Sequence, residues 1–313
     1  MAADWAGLHP PLLQSVLMHV MDHQVLQLPT YLAAGTAEAA AVRRQQAAIA
    51  AFALVCRQWR QAAAAALQQC AWAVAVQRAA GSAASALPSQ LEPLAVASLD
   101  LRRLTWSESG GSSAAEALLL SRAFRSRSSG CLRCAVGIPE RLCAELASGF
   151  PALDTVGLSE DYDSTDAHKH HSAPMQLAPL AALSQLRTLQ LELGIVELAA
   201  VPPQVRQLQL TEIDRLVLPR VAGASIADRL LAAAATQGLD LIALEAASGC
   251  IVFEEANHAP MELELSHLAR LLASSAGSSW RVQLSMRSDA ALQQQRACLA
   301  VTSTGGGGGG KGE

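Results

Sequence analysis

Two N-terminal segments have the apolar spacing of amphipathic helices. In residues 8–20, apolar side chains recur at steps of three and four after two prolines, which fit a first helical turn because the amide that proline lacks would have no partner there. In residues 45–76, an Ala-rich segment again collects its large apolar side chains on one face. The sequence therefore predicts two helices, separated by a mixed segment, residues 23–41, that Pro29 and Gly35 interrupt.

After Leu94 the pattern changes to short apolar alternations. Each has the order apolar, two residues, apolar, one residue, apolar, which is typical of the strand of a leucine-rich repeat. One such unit cannot bury its own apolar face, so the units must stack, and stacking predicts a parallel strand ladder over a continuous core. The spacing is uneven, which indicates an irregular or interrupted array. The strings are Val96, Leu99, Leu101; Cys131, Cys134, Val136; Leu153, Val156, Leu158; Leu186, Leu189, Leu191; Val205, Leu208, Leu210; and Leu239, Ile242, Leu244.

The clearest unit covers residues 131–158, where a strand is followed by a helix with Leu142, Leu146 and Phe150 on one face. Two segments interrupt the array and are predicted to be surface loops: the Ser- and Gly-rich residues 107–130, and residues 159–174, which are acidic and then His-rich. The tail, residues 302–313, contains six consecutive glycines and is predicted to be disordered.

The charge and the cysteine content of the chain indicate which partners and which compartment to expect. A formal net charge of −4 gives the chain no long-range attraction for nucleic acid or anionic membrane surfaces, so neither is expected to bind it. An early Asp4 and the two prolines do not fit a secretory signal, and no apolar run is long enough to cross a bilayer. Seven cysteines at irregular spacings favour reduced thiols, and hence a cytoplasmic or nuclear protein.

The N-terminal helices carry two strings that resemble an F-box. In that family, the first helix opens at a Leu-Pro element and a later helix carries an apolar-Val-Cys-Arg-x-Trp string. Here His9 splits the Leu-Pro pair, and the spacer between the strings is longer than the family usually allows, so residues 27–41 are taken as an inserted loop. The matching residues are Leu8, Pro10, Pro11, Leu12, Leu13, Val16, Leu17 and Val20, and then Phe52, Ala53, Leu54, Val55, Cys56, Arg57, Gln58, Trp59 and Arg60.

The resemblance implies a small helical bundle whose apolar side chains are buried by the adaptor subunit of an SCF-type cullin-RING ligase. F-box proteins often continue into leucine-rich repeats, which hold the target protein. The implied function is therefore substrate recognition in an E3 ubiquitin ligase, with no enzymatic activity of its own and no cofactor. Trp59 would pack across the bundle, and the residues placed at or beside the adaptor are Leu8, Pro10, Leu13, Val16, Leu17 and Val55.

The predicted architecture is α/β. An F-box-like helical module covers residues 5–80, an irregular leucine-rich-repeat solenoid with a parallel strand ladder covers residues 90–300, and the glycine-rich tail follows. Three alternatives stay open. The chain would be a leucine-rich scaffold or adaptor without a ligase role, the N-terminal apolar residues would be the ordinary core of an Ala-rich domain, or the repeats would be an ordinary α/β domain with Leu-rich strands.

Two clusters of residues suggest metal or catalytic chemistry, and each also has a simpler explanation. Cys131 and Cys134 form a C-x2-C pair near Cys143, but a second ligand pair is missing and inward-facing strand thiols are the preferred interpretation, so no metal is expected. The loop histidines 168, 170 and 171 follow acidic residues without the spacing of a calcium loop.

The same loop echoes the Asp-x-Asp-x-Thr string of haloacid-dehalogenase-like phosphatases at Asp161, Asp163 and Thr165. Ser159 and Glu160 separate this string from the strand that would have to present the nucleophile. A hydrolase that uses the acidic loop therefore ranks well below an interaction protein. No nucleophile elbow, phosphate-binding loop or zinc-protease string occurs in a strand-to-helix context.

Overall fold

The computed structural model describes residues 25–29, 71–77, 91, 95–103, 111–159, 173–255, 260–275, 279–289 and 294–304. The chain divides into two compact units, residues 1–137 with 148–153, and residues 138–147 with 154–313. Helices and strands are mixed in both units, and most of the strand pairs are parallel. The predicted α/β class with a largely parallel ladder is therefore confirmed.

The first unit is built on parallel strands that follow one another in chain order. β1 (Val25–Pro29) pairs with β2 (Ala71–Gln77), β2 with β3 (Ala95–Arg103), and β3 with β4 (Cys134–Pro139). Two helices, α1 (Gly111–Leu120) and α2 (Arg122–Ser128), connect β3 to β4.

Aromatic packing anchors the helical side of this unit. Phe124 and Phe150 are fully buried, with ring centroids 5.6 Å apart and ring planes at 60°. Such tilted pairs add stability beyond the apolar area that they bury. Ser121 starts α2, because its hydroxyl accepts a hydrogen bond from the backbone N–H of Phe124.

Two predictions for this unit are wrong. Residues 107–130 were predicted to be a surface loop, but they contain α1 and α2, and the described helix buries Leu118 and Leu119 completely. The helix predicted over residues 45–76 is wrong at its C-terminal end, because Ala71–Gln77 forms β2. The alanines suggested a helix, but Trp72, Val74 and Val76 alternate along this segment as in a strand, and the segment pairs with a strand on each side. β1 likewise overlaps the start of the segment taken as an inserted loop.

The prediction of which β4 residues face inward is also wrong. Cys131, Cys134 and Val136 were assigned to the inward face, but the register pairs Ala135 with the buried Leu99 and places Cys134 opposite Ser98. Cys131 and Cys134 are half-buried. β4 is apolar at nearly every position, so its sequence does not show which of its two faces points inward.

The second unit contains the remaining elements. In chain order they are α3 (Cys143–Gly149), β5 (Thr155–Ser159), β6 (Thr188–Glu192), β7 (Ile195–Glu197), β8 (Gln207–Thr211), β9 (Arg215–Leu218), α4 (Ile226–Gln237), β10 (Leu241–Ala246), β11 (Cys250–Glu255), β12 (Met261–Glu264), α5 (Leu265–Ser275), β13 (Trp280–Asp289) and β14 (Gln294–Ser303). Short 3-10 helices occupy Glu140–Leu142, Ala178–Ala182 and Leu198–Ala200. Only the last part of α3 belongs to the first unit.

From β6 to β11, successive strands of this unit alternate between two sheets. The larger sheet has β5, β6, β8 and β10 in parallel, followed by the antiparallel β14 and β13. The smaller sheet has β7, β9 and β11 in parallel, with β12 antiparallel at its edge. The chain therefore passes from one sheet to the other between β6 and β11.

Two leucine-rich layers form the core beneath the larger sheet. Strand register aligns Val156, Leu189, Leu208 and Ile242 in one layer, and Leu158, Leu191, Leu210 and Leu244 in the next. All eight side chains are buried. The strings predicted on these four strands are therefore confirmed in position and in inward face. Leu142, Leu146 and Phe150, predicted to share a helix face, are also buried.

The corners after β6 and β8 share an uncommon backbone conformation. Leu193 has φ 64° and Glu212 has φ 51°, and each immediately follows its strand. The backbone N–H of Leu193 donates to the carbonyl of Thr211, and that of Glu212 donates to the carbonyl of Glu245. A residue with positive φ therefore follows each of the two strands. We attribute this uncommon backbone conformation to the corner that the two strands share.

The C-terminal elements were not predicted. β12, α5, β13 and β14 lie where the sequence suggested a continuing repeat array, and two of the strands form a long antiparallel hairpin. The tail was predicted to begin at Thr302, but Thr302 and Ser303 belong to β14 and pair with Arg281 and Trp280. Residues 305–313 lie outside the described residues.

α4 has well-defined signals at both ends. The Ser225 hydroxyl accepts from the backbone N–H of Asp228 at 3.1 Å, while the Asp228 carboxylate accepts from the backbone N–H of Ser225 at 3.2 Å. The hydrogen bond from the Ser225 hydroxyl is the main reason that the pKa of Asp228 is lowered. Gly238 ends the helix at φ 69°, where glycine is favoured.

Replacing Ser225 by Ala should destabilise the second unit modestly. The substitution removes the capping acceptor, and loss of an N-cap typically costs about 1 kcal/mol. In a protein of this size that corresponds to a fall in Tm of about 2 to 4 °C. Differential scanning calorimetry of the wild type and of Ser225→Ala measures the change, and Ser225→Thr, which keeps the hydroxyl as acceptor and as donor to Asp228, should recover most of it.

Candidate binding surface

The residues predicted to contact the ligase adaptor all lie outside the described residues. They are Leu8, Pro10, Leu13, Val16, Leu17, Val55 and Trp59. Asp161, Asp163 and Thr165 of the rival phosphatase-like string, and the three loop histidines, also lie outside. The candidate surface that the structure does describe is the outer face of the larger sheet in the second unit.

This outer face is rich in polar side chains that alternate with the buried leucine layers. On β6 it presents Thr188, Gln190 and Glu192, and strand register places these opposite Gln207, Gln209 and Thr211 of β8. All six are at least partly exposed. Amide and hydroxyl groups donate and accept hydrogen bonds, so the face can make directional contacts. We call the outward-facing residues of β6, β8, β10 and β14 the ladder face.

A strip of small side chains crosses the ladder face. Ala243 of β10 lies opposite Gln209 on one side and opposite Ala300 of β14 on the other. Ala300 in turn lies opposite Gln283 of β13. Two half-buried alanines therefore lie side by side between two glutamines, Gln209 and Gln283.

A group of charged side chains borders this strip. The Arg296 guanidinium lies 3.4 Å from the Glu245 carboxylate and 3.7 Å from the Glu212 carboxylate. Glu212 also accepts a hydrogen bond of 2.7 Å from the backbone N–H of Ala247. The arginine therefore connects the antiparallel β14 to the repeated corner after β8. Each of the three side chains is about one-fifth to one-quarter exposed, so this cluster rigidifies the ladder face at its border.

Sequence reasoning missed the contribution of β14 to this face. A signal was present, because Leu299 and Val301 alternate with Cys298, Ala300 and Thr302, which is the period of a half-buried strand. Arg296 carried no signal of its own, since an ion pair with residues 51 and 84 positions away depends on the fold. The Gln and Glu residues of β6 and β8 were correctly implied as outward positions between the predicted inward leucines.

Among the described thiols, Cys143 is buried and Cys131 is half-buried. Burial raises the pKa of Cys143 to about 12, with a smaller contribution from the Glu140 carboxylate. Burial also raises the pKa of Cys131. A thiol that keeps its proton at neutral pH is a poor nucleophile and a poor metal ligand. Within the described part of the chain, no three His, Cys, Asp or Glu residues lie close enough together to hold a metal ion.

The raised pKa of Cys143 predicts a loss of stability at alkaline pH. The folded chain holds this proton up to about pH 12, whereas an unfolded thiol releases it near about pH 8.5. Above the unfolded value, the unfolded state binds fewer protons, so stability falls as pH rises, by at most about 1.4 kcal/mol per unit from this group. Denaturant titrations between about pH 8 and about pH 11 should show a shallower decline for Cys143→Ala than for the wild type.

No family model and no curated protein matches the chain. In the part of the chain that the structure describes, no helix is both long enough and apolar enough to cross a membrane.

Proposed function

We propose that this chain is the substrate-recognition subunit of an SCF-type cullin-RING E3 ubiquitin ligase. Its F-box-like segment, residues 5–80, would bind the adaptor subunit and so join the cullin complex, and its strand ladder would bind the target protein. The chain would work in the cytoplasm or nucleus, need no cofactor and carry out no chemistry itself. Its function would be to hold the target close to the ubiquitin-transferring subunits.

The F-box-like strings support the adaptor-binding half of the proposal. The first string lies within residues 8–20 and the second within residues 52–60, and neither overlaps β1 or β2. β1 lies in the long spacer between them, where the family pattern had already required inserted residues. The observation that carries the proposal is the Val-Cys-Arg-x-Trp string at Val55 to Trp59, placed ahead of a leucine-rich ladder.

The ladder supports the target-binding half. Between β6 and β11 the strands alternate between two parallel sheets, as in successive coils of a leucine-rich-repeat solenoid. A short coil links β6 to β8, and a longer coil that contains α4 links β8 to β10. We therefore propose that residues 90–300 include an irregular solenoid, which β13 and β14 close with an antiparallel hairpin.

The ladder face suits protein recognition better than catalysis. Its described side chains are mostly amides, hydroxyls and apolar groups, together with the Glu192 carboxylate, and Arg296 is paired with Glu212 and Glu245. Extended polar faces of this kind bind through shape and many hydrogen bonds. Gln190 and Gln209, opposite each other at the middle of the face, are the positions at which a target contact would be tested first.

Affinity purification of the tagged full chain, followed by mass spectrometry, tests the proposal. Recovery of the adaptor together with a cullin supports it. Recovery of other proteins without adaptor or cullin indicates the alternative function, a leucine-rich scaffold without a ligase role. In the same experiment, Gln190→Ala with Gln209→Ala should retain the adaptor and lose the target, because the two substitutions affect only the ladder face.

A further inference from the structure

β13 is an unusually long strand at the end of the larger sheet. Ten of its residues pair with β14, from Trp280 opposite Ser303 to Asp289 opposite Gln294, without a register shift. Among the described strands, β14 is its only partner. The other edge of β13 therefore presents a row of backbone N–H and C=O groups about 33 Å long, which is a template for another strand.

The middle of β13 is exposed in the part of the chain that the structure describes. Gln283, Leu284, Ser285 and Met286 are all exposed, with Leu284 at 43% and Met286 at 63%. Leu284 and Met286 lie on the same face of the sheet as the buried Leu299, because directly opposed residues share a face. The apolar layer of the sheet thus continues onto the edge strand and ends there in contact with water.

Several devices by which monomeric proteins protect such an edge are absent from β13. The strand has no proline, no lysine and no bulge along its pairing with β14. It does contain Arg281, Arg287 and Asp289, so its charges have both signs. A strand with both signs of charge repels or attracts a copy of itself according to the register of pairing.

One register of self-pairing satisfies both the charges and the apolar residues. A two-fold axis perpendicular to the sheet must pass through a residue, because opposed side chains share a face. With the axis at Ser285, Arg281 lies opposite Asp289 twice and Leu284 lies opposite Met286 twice. With the axis at Leu284, Arg281 would face Arg287 twice instead. An axis at Met286 shortens the pairing and leaves Arg281 without a partner.

We propose that two copies of this chain dimerise through antiparallel pairing of β13, with the two-fold axis at Ser285. The pairing joins the larger sheets of two protomers into one continuous sheet. It buries Leu284 and Met286 of each protomer against each other and forms two symmetric Arg281–Asp289 pairs. In a ligase, such a dimer would present two ladder faces, although the dimer does not depend on that function.

Charge reversal with rescue tests the register. Arg281→Asp places like charges opposite each other twice, so the dimer Kd should rise at least about tenfold. Adding Asp289→Arg restores opposite charges and should return the Kd to within about threefold of the wild type. Arg220→Asp, a reversal at an exposed arginine outside β13, should leave the Kd unchanged.

Sedimentation velocity of the full chain, at concentrations up to about 100 μM, measures these values against a dimer of twice 32.7 kDa. Met286→Lys is a second variant that does not disturb the monomer, since this side chain is 63% exposed, and it should also weaken the dimer. A wild-type chain that stays monomeric would overturn the proposal. Failure of Asp289→Arg to rescue Arg281→Asp, with both variants folded by circular dichroism, would overturn it as well.

Discussion

Replacing Leu13 and Leu17 together by Asp should abolish adaptor binding. The two residues are four positions apart, so on a helix they lie on one face. Burial of each leucine contributes about 1.5 to 3 kcal/mol, so losing both should weaken the complex by about 3 to 6 kcal/mol, or at least about a hundredfold in Kd. Surface plasmon resonance with immobilised adaptor measures the difference.

A matched variant separates this effect from a general effect of added charge. Leu120→Asp introduces the same side chain at a leucine that is 50% exposed, outside the F-box-like segment, and it should bind the adaptor as the wild type does. Circular dichroism should be the same for all three proteins. If Leu13→Asp with Leu17→Asp binds normally, the two leucines do not lie at the adaptor surface.

Replacing Leu210 by Ala should destabilise the second unit by about 3 kcal/mol. Leu210 is fully buried and lies between Leu191 and Leu244 in the leucine layer of the ladder. The substitution removes buried methyl groups and leaves a cavity that packed neighbours fill only in part. Since natural domains are stable by about 5 to 15 kcal/mol, the loss should appear as a clearly lower midpoint in urea.

Gln209→Ala is the control for Leu210→Ala. The two residues are adjacent in β8, but Gln209 is half-exposed on the ladder face. Its replacement should change the free energy of unfolding by less than about 0.5 kcal/mol, as for most surface substitutions. Equal effects of the two substitutions would show that the alternation of inward and outward faces in β8 is wrong.

The ladder was predictable because its strands follow a simple rule. The inward apolar residues of β5, β6, β8 and β10 recur at every second position. This spacing is typical of an extended strand with one buried face. The sequence therefore predicted these four parallel strands. β4 lacks this contrast between faces, and there the predicted frame was off by one residue.

The remaining elements depend on contacts that a single sequence does not display. Ala71–Gln77 ends an Ala-rich segment that was predicted to be helical, although Trp72, Val74 and Val76 alternate with alanine as in a strand, and it pairs with β1 and β3. α1 and α2 have Ser-rich surroundings that suggest a loop, and burial of Leu118, Leu119 and Phe124 decides otherwise. Arg296 reaches Glu212 and Glu245 only after the hairpin has closed on the ladder. Long-range pairing of this kind overrides local propensity.

The most direct test of the proposed function is a calorimetric titration of the purified full chain with the purified adaptor subunit. The proposal predicts a one-to-one complex with a Kd in the micromolar range or tighter, together with the negative heat-capacity change that burial of apolar side chains produces. Absence of heat at two temperatures together with absence of complex formation, with a chain shown to be folded by circular dichroism, would contradict the assignment to an SCF-type ligase.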